Sequence, residues 1–136
     1  MNYDRILREQ IDSCGSAEEL GEFFAHYMSS GIDVQEKPDG SFDVTFTRVL
    51  VERLGPIRIE IHPDEHPPPH FHAVVGSYRA SFAIVSGECI AGHLEPADSR
   101  KVRLFHRNAR ERLIQVWNET RPTDCPVAPI APPAAS

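Results

Sequence analysis

Apolar positions change their spacing along the chain, and each change marks an element. Leu20, Phe23, Phe24, Tyr27 and Met28 fall at i, i+3, i+4, i+7 and i+8, one face of an α-helix. Ser16-Ala17-Glu18-Glu19 in front of them is a capping box, its hydroxyl and its carboxylate each able to satisfy an amide at the helix start, and Gly31 suits the stop. A shorter helical pattern, Tyr3, Ile6, Leu7 and Ile11, covers residues 3–12 and is separated from the next by Gly15. The first forty residues therefore read as a helical hairpin, either part of the same domain or a partner-binding extension.

After the turn signal Pro38-Asp39-Gly40 the period falls from 3.6 to 2. Phe42, Val44 and Phe46 alternate with Asp43, Thr45 and Thr47 as a half-buried strand does. Val49 and Val51 continue out of phase, which predicts a bulge near Thr47-Arg48, and Leu54-Gly55-Pro56 turns the chain. Ile57, Ile59 and Ile61 then face the core while Arg58, Glu60 and His62 face away. Phe71, Ala73 and Val75 alternate with His70, His72 and Val74; Gly76-Ser77 turns; Tyr78, Ala80, Phe82 and Ile84 form the next strand. Ser86-Gly87 reads as a two-residue hairpin turn into a short strand at Glu88–Ile90.

From about Pro96 to Thr120 the spacing is helical again, with Val102, Phe105, Ala109, Leu113, Val116 and Trp117 on one side. The pattern predicts an α+β fold: the N-terminal helical hairpin, an antiparallel meander of about four or five strands, and a C-terminal amphipathic helix covering it. Residues 41–121 form the α+β core, and the proline- and alanine-rich stretch 122–136 is expected to be a disordered tail.

Composition narrows the class. At 136 residues, 40% hydrophobic and 25% charged, the chain fits one folded domain. The charged N-terminus and the absence of a long apolar run point to a cytoplasmic protein with no membrane contact. Cys14, Cys89 and Cys125 are far apart and form no Cys-x-x-Cys pair, so they read as reduced, with Cys89 a small buried hydrophobe. The net charge of −6 is concentrated in residues 1–40, with nine acids against three bases, which disfavours strong non-specific nucleic-acid binding by the whole chain.

The candidate chemistry lies in residues 62–72, His-Pro-Asp-Glu-His-Pro-Pro-Pro-His-Phe-His, which hold four of the seven histidines and four of the twelve prolines. On a strand His70 and His72 leave the same face, and an antiparallel pairing of the flanking strands brings His62 close to both. His66, Asp64 and Glu65 lie in the connection, which Pro67-Pro68-Pro69 stiffens. Neutral imidazoles with a carboxylate suit a divalent transition metal, or the cluster takes an anion. With one coordination position left for water, Asp64 or Glu65 becomes a general base for phosphodiester hydrolysis. Equally, these histidines cap strand ends and sit in water. No Gly-rich phosphate loop is present, so no nucleotide cofactor is expected, and Ser81 and Ser86 lack a nucleophile signature.

A second concentration is basic. Arg100, Arg103, Arg107 and Arg110 recur at helical spacing, with Lys101, His106 and Arg112 beside them. They read as a surface that offsets the acidic helices, or as a contact for an anion, a nucleic acid or an acidic partner.

Glu65-His66-Pro67-Pro68-Pro69-His70-Phe71-His72, then Tyr78-Arg79-Ala80-Ser81-Phe82, Gly92, and the helix ending Leu113-x-x-x-Trp117-Asn118 resemble the bacterial and phage domain of unknown function numbered 4160, over about residues 56–119. The motif falls on Pro68, Pro69, His70 and His72, with His66 just upstream and His62 outside it. The resemblance implies a small stand-alone cytosolic protein encoded beside another small protein, as in toxin–antitoxin pairs, and transfers no activity. The expectation is a partner-dependent accessory or toxin–antitoxin-like component with a metal- or anion-binding surface at His62, His66, His70 and His72; a homo-oligomer is compatible. The competing expectation is a metal-dependent hydrolase or nuclease in which Arg100 to Arg110 hold a polyanion.

Overall fold

A computed structural model describes residues 3–46, 55–62, 68–120 and 130. The elements in chain order are α1 (Tyr3–Asp12), α2 (Ala17–Ser29), β1 (Ile32–Glu36), β2 (Phe42–Phe46), β3 (Ile57–Glu60), β4 (His70–Val75), β5 (Tyr78–Ala83), β6 (Cys89–His93) and α3 (Pro96–Thr120). The class is α+β, with a two-stranded antiparallel sheet β1-β2 and a four-stranded meander β3-β4-β5-β6.

α2 starts where its capping box dictates. Ser16 Oγ accepts from Glu19 N, and the Glu19 carboxylate accepts from Gly15 N at 2.7 Å. Its end differs from expectation: Gly31 is not among the residues with positive φ, and Ser30, in extended backbone, is the C-cap. The last carbonyls are instead capped from a distance, by Lys101 Nζ donating to Met28 O at 2.8 Å and Ser30 O at 3.1 Å. Both N-terminal helices lean on α3, and α2 also lies along β3.

α3 is more than a one-faced cover. Val102, Phe105, Ala109, Leu113 and Trp117 are buried, but so are Asp98, Lys101, Leu104, His106, Asn108 and Ile114. The reason is its central place: α1, α2 and β1 all contact it, and it also meets the meander, where His106 stacks parallel to Phe71 of β4. The apolar residues of the helices, β1, the meander and α3 form one cluster, in which Phe24 meets Phe105 edge-on at 5.0 Å and the cross-strand pair Phe71–Phe82 stacks at 5.5 Å.

Three expectations change. β1 is an added strand, paired with β2 around a turn in which Asp39 Oδ1 accepts from Ser41 N. The connection after β5 spans residues 84–88 and closes through Ala83 N to Glu88 O, so β6 is Cys89–His93 rather than Glu88–Ile90. Cys89 is exposed on that edge strand, not buried. The expected bulge near Thr47-Arg48 lies outside the described residues. Ile130 is packed against the core, its backbone bracketed by Asn118, whose Nδ2 donates to Ile130 O and whose Oδ1 accepts from Ile130 N.

Two glycines set the geometry of this end. Gly87 (φ +77°) abuts His106, and a Cβ there would come within 2.5 Å of Nδ1. Gly92 (φ +75°) lets β6 run against β5 where the register shifts between Ser81 and Phe82, and a Cβ would meet the Arg79 carbonyl.

Candidate functional site

β4 separates two environments. Phe71, Ala73 and Val75 enter the main core, while His70, His72 and Val74 project from the opposite side. All six positions are nonetheless buried, His70 to 3% and His72 to 7% exposure. The register sets Glu60 of β3 opposite His72 and His72 opposite Ser81 of β5; two residues along, Arg58, Val74 and Arg79 form a parallel row.

His62, His70 and His72 come together. The rings of His70 and His72 are 4.9 Å apart between centroids and those of His62 and His72 are 5.1 Å apart, both edge to face. Each ring has a nitrogen within hydrogen-bond distance of a neighbour. His70 Nδ1 lies 2.7 Å from Pro68 O. A carbonyl oxygen only accepts, so Nδ1 carries the proton and the lone pair of the neutral ring is on Nε2. His62 Nε2 donates to Glu60 Oε1 at 3.2 Å, which in the neutral ring leaves the lone pair on Nδ1. His72 Nδ1 is 2.9 Å from Ser81 Oγ. Among the described residues, no three His, Cys, Asp or Glu side chains already close on one point as a bound ion requires.

Glu60 is the hub that sequence reasoning missed. Arg58 Nε donates to Oε2 at 2.5 Å and Arg79 Nη1 to Oε1 at 2.9 Å. The bond from Arg58, followed by those from His62 and Arg79, draws this carboxyl down to about 2 against a smaller opposing effect of burial. The alternation of Arg58, Glu60 and His62 was visible in the sequence; the approach of Arg79 depends on β4 lying between the two strands. His66, Asp64 and Glu65 lie outside the described residues.

The arginines of α3 are distributed differently. Arg100 Nε donates to Val34 O at 2.6 Å, Arg103 pairs with Glu36, Arg107 lies 3.7 Å from Asp4, and Arg110 Nε donates to Val85 O. Arg103 and Arg107 also sit over the ring of Phe42. The stripe thus ties α3 to α1, to both strands of the hairpin and to the loop after β5. Arg107 and Arg110 further rim a cleft of about 160 Å³ with Arg8 and Arg112, where Asp12 and Glu111 offset their charge.

The elements β3 through α3 coincide with a family match over residues 57–118. Residues 57–118 match the model of a domain of unknown function, DUF4160. The matched segment holds all three clustered histidines, Glu60, Arg79 and Ser81. It excludes α1, α2, β1 and β2, which supply Leu7, Ile11, Leu20, Phe24, Met28 and Val34 to the shared core. No curated protein and no solved structure matches the chain. No helix among the described residues is long and apolar enough to cross a membrane.

Proposed function

We propose that this protein is a partner-dependent accessory of the toxin–antitoxin kind, acting in the cytoplasm, whose histidine cluster binds a divalent transition metal. The observation that carries the metal reading is the way the rings are held. Ligand histidines characteristically give their other ring N–H to a carbonyl, carboxylate or hydroxyl, and Pro68 O, Glu60 and Ser81 stand in those places. Two imidazoles on one tetrahedral ion, with bonds of about 2.0–2.1 Å, set their ring centres roughly 5 Å apart, the spacing found here. Binding draws the rings inward, and the connection between His62 and Pro68 offers His66, Asp64 or Glu65 as a further ligand. The partner is a small protein encoded nearby, for which exposed Phe46, Val85 and Ile90 supply apolar contact.

Elemental analysis after dialysis against zinc or nickel tests the metal. About one ion per chain is expected in the wild type and none in a His70→Ala, His72→Ala variant; no stoichiometric ion in either sinks the reading. Incubating the loaded protein with RNA and DNA tests nuclease activity, which cleavage abolished by chelator would establish. Partner binding is better tested by point substitutions such as Phe46→Ser than by deleting residues 1–40, because that stretch contributes to the core.

A further inference from the structure

The cleft of about 160 Å³ between α1 and α3 gathers polar groups that the fold does not use up. Arg8 and Asp12 line it from α1, and Arg107 with Glu111 and Asn108 with Arg112 line it from α3, each pair four residues apart on its helix. Arg110 adds a fourth guanidinium, so four cations meet two carboxylates and the cleft carries an excess positive charge. Two polar atoms of its lining residues, Asn108 Oδ1 and Arg112 Nε, are shut off from solvent and have no hydrogen-bond partner among the described residues. Asn108 is itself only 6% exposed, and its amide is oriented by Nδ2, which donates to Asp4 Oδ1 at 2.9 Å and to Leu104 O at 3.2 Å. Its oxygen is therefore an acceptor without a donor. Arg112 is held by Gln115 and by the Cys14 carbonyl, which leaves Nε a donor without an acceptor. Buried polar groups are ordinarily paired, and an unmet acceptor beside an unmet donor defines what an occupant has to bring.

We propose that this cleft docks an acidic peptide segment of the partner protein, its carboxylates among the guanidiniums and a main-chain N–H donating to Asn108 Oδ1. The proposal rests on the partner reading above, not on the metal, and assigns the partner's chemistry. The phosphates of a nucleic acid bring acceptors alone, and the net charge of −6 on the chain opposes a long polyanion. An acidic peptide brings carboxylates and N–H donors together. Asn108 Oδ1 and Arg112 Nε are covered, so the segment reaches them by turning aside the exposed side chains of Arg107 and Glu111. The exposed Val85 adjoins the cleft, because its carbonyl accepts from Arg110 Nε, and it gives the docked segment an apolar neighbour.

Fluorescence anisotropy of a labelled peptide of alternating aspartate and alanine provides the readout, with a labelled uridine oligonucleotide of equal charge for comparison. Peptide binding should saturate and weaken as salt rises. Arg8→Gln and Arg107→Gln should each weaken it by about three- to tenfold, and Glu111→Gln should tighten it by about two- to fivefold. Arg103→Gln, on the same helix but not in the cleft lining, should leave it unchanged. The same peptide N-methylated along its backbone, which cannot donate, should bind about tenfold more weakly. Equal affinity for the peptide in wild type and in an Arg8→Gln, Arg107→Gln variant would overturn the site, as would an equal loss in Arg103→Gln or tighter binding of the oligonucleotide. Co-purification with the product of the neighbouring gene separates the two readings. A partner retained equally by wild type and the double variant overturns the cleft and keeps the partner; a partner that binds neither removes the partner reading beneath it.

Discussion

The chain concentrates one kind of side chain in two places, arginine on α3 and histidine at the start of β4, and the fold treats them in opposite ways. The arginines radiate from their helix to separate acceptors on α1, the β1-β2 hairpin and the loop after β5. The histidines converge, because strand alternation and antiparallel pairing point them to one place. A helix distributes regularly spaced groups around an axis that several elements touch, whereas a sheet row directs them to a common side. Enrichment alone therefore does not fix where side chains meet; the direction in which the polar ends are held does.

The contrast is broken most strongly by removing the converging rings. His70→Ala, His72→Ala should lower metal affinity on the order of 1,000-fold while the chain stays folded, measured by competition with a chromophoric chelator. Next in size is Lys101→Ala on the helix side, which deprives Met28 O and Ser30 O of their donor and should cost about 2–3 kcal/mol in urea unfolding. Ser81→Ala tests whether the ring partners matter to the site: about 10-fold weaker metal binding is expected with little change in stability.

A smaller effect concerns His106. Burial, the largest influence, pushes its imidazole below the ordinary value despite the bond to Ile84 O, so the unfolded chain takes up a proton that the folded chain refuses. Stability should fall as pH drops through about 6.5, and a His106→Gln variant should show a shallower fall over that interval. Smallest is Arg103→Ala, whose half-exposed pair with Glu36 is worth under about 1 kcal/mol. A larger loss there, without loss of metal binding, would mean that the radiating arginines do more for the fold than their exposure suggests.

How much of this could be read from the residues depended on range. The capping box at Ser16, the limits of α3 and the alternation in β3, β4 and β5 are local patterns, and they appear where expected. β1 escaped notice because only Ile32 and Val34 are apolar inward positions, too few to show a period. The strand after β5 was misplaced because a two-residue turn was assumed where the chain takes five residues to return. At the site, the shared side of His62, His70 and His72 followed from alternation and pairing. The roles of Ser81, Arg79 and the Pro68 carbonyl depend on sheet register and loop geometry, which no spacing in the sequence encodes.

Lys101 has one more effect. Its ammonium closes the end of α2, while the Tyr27 hydroxyl of α2 donates to the Lys101 carbonyl at 2.6 Å, so the two helices are latched in both directions. Peeling α2 away would strand a cation, an uncapped terminus and a phenol together, which discourages partial opening. The amides of the last turn of α2 should then exchange with solvent only when α3 does, which would make a helix outside the matched segment part of its cooperative unit.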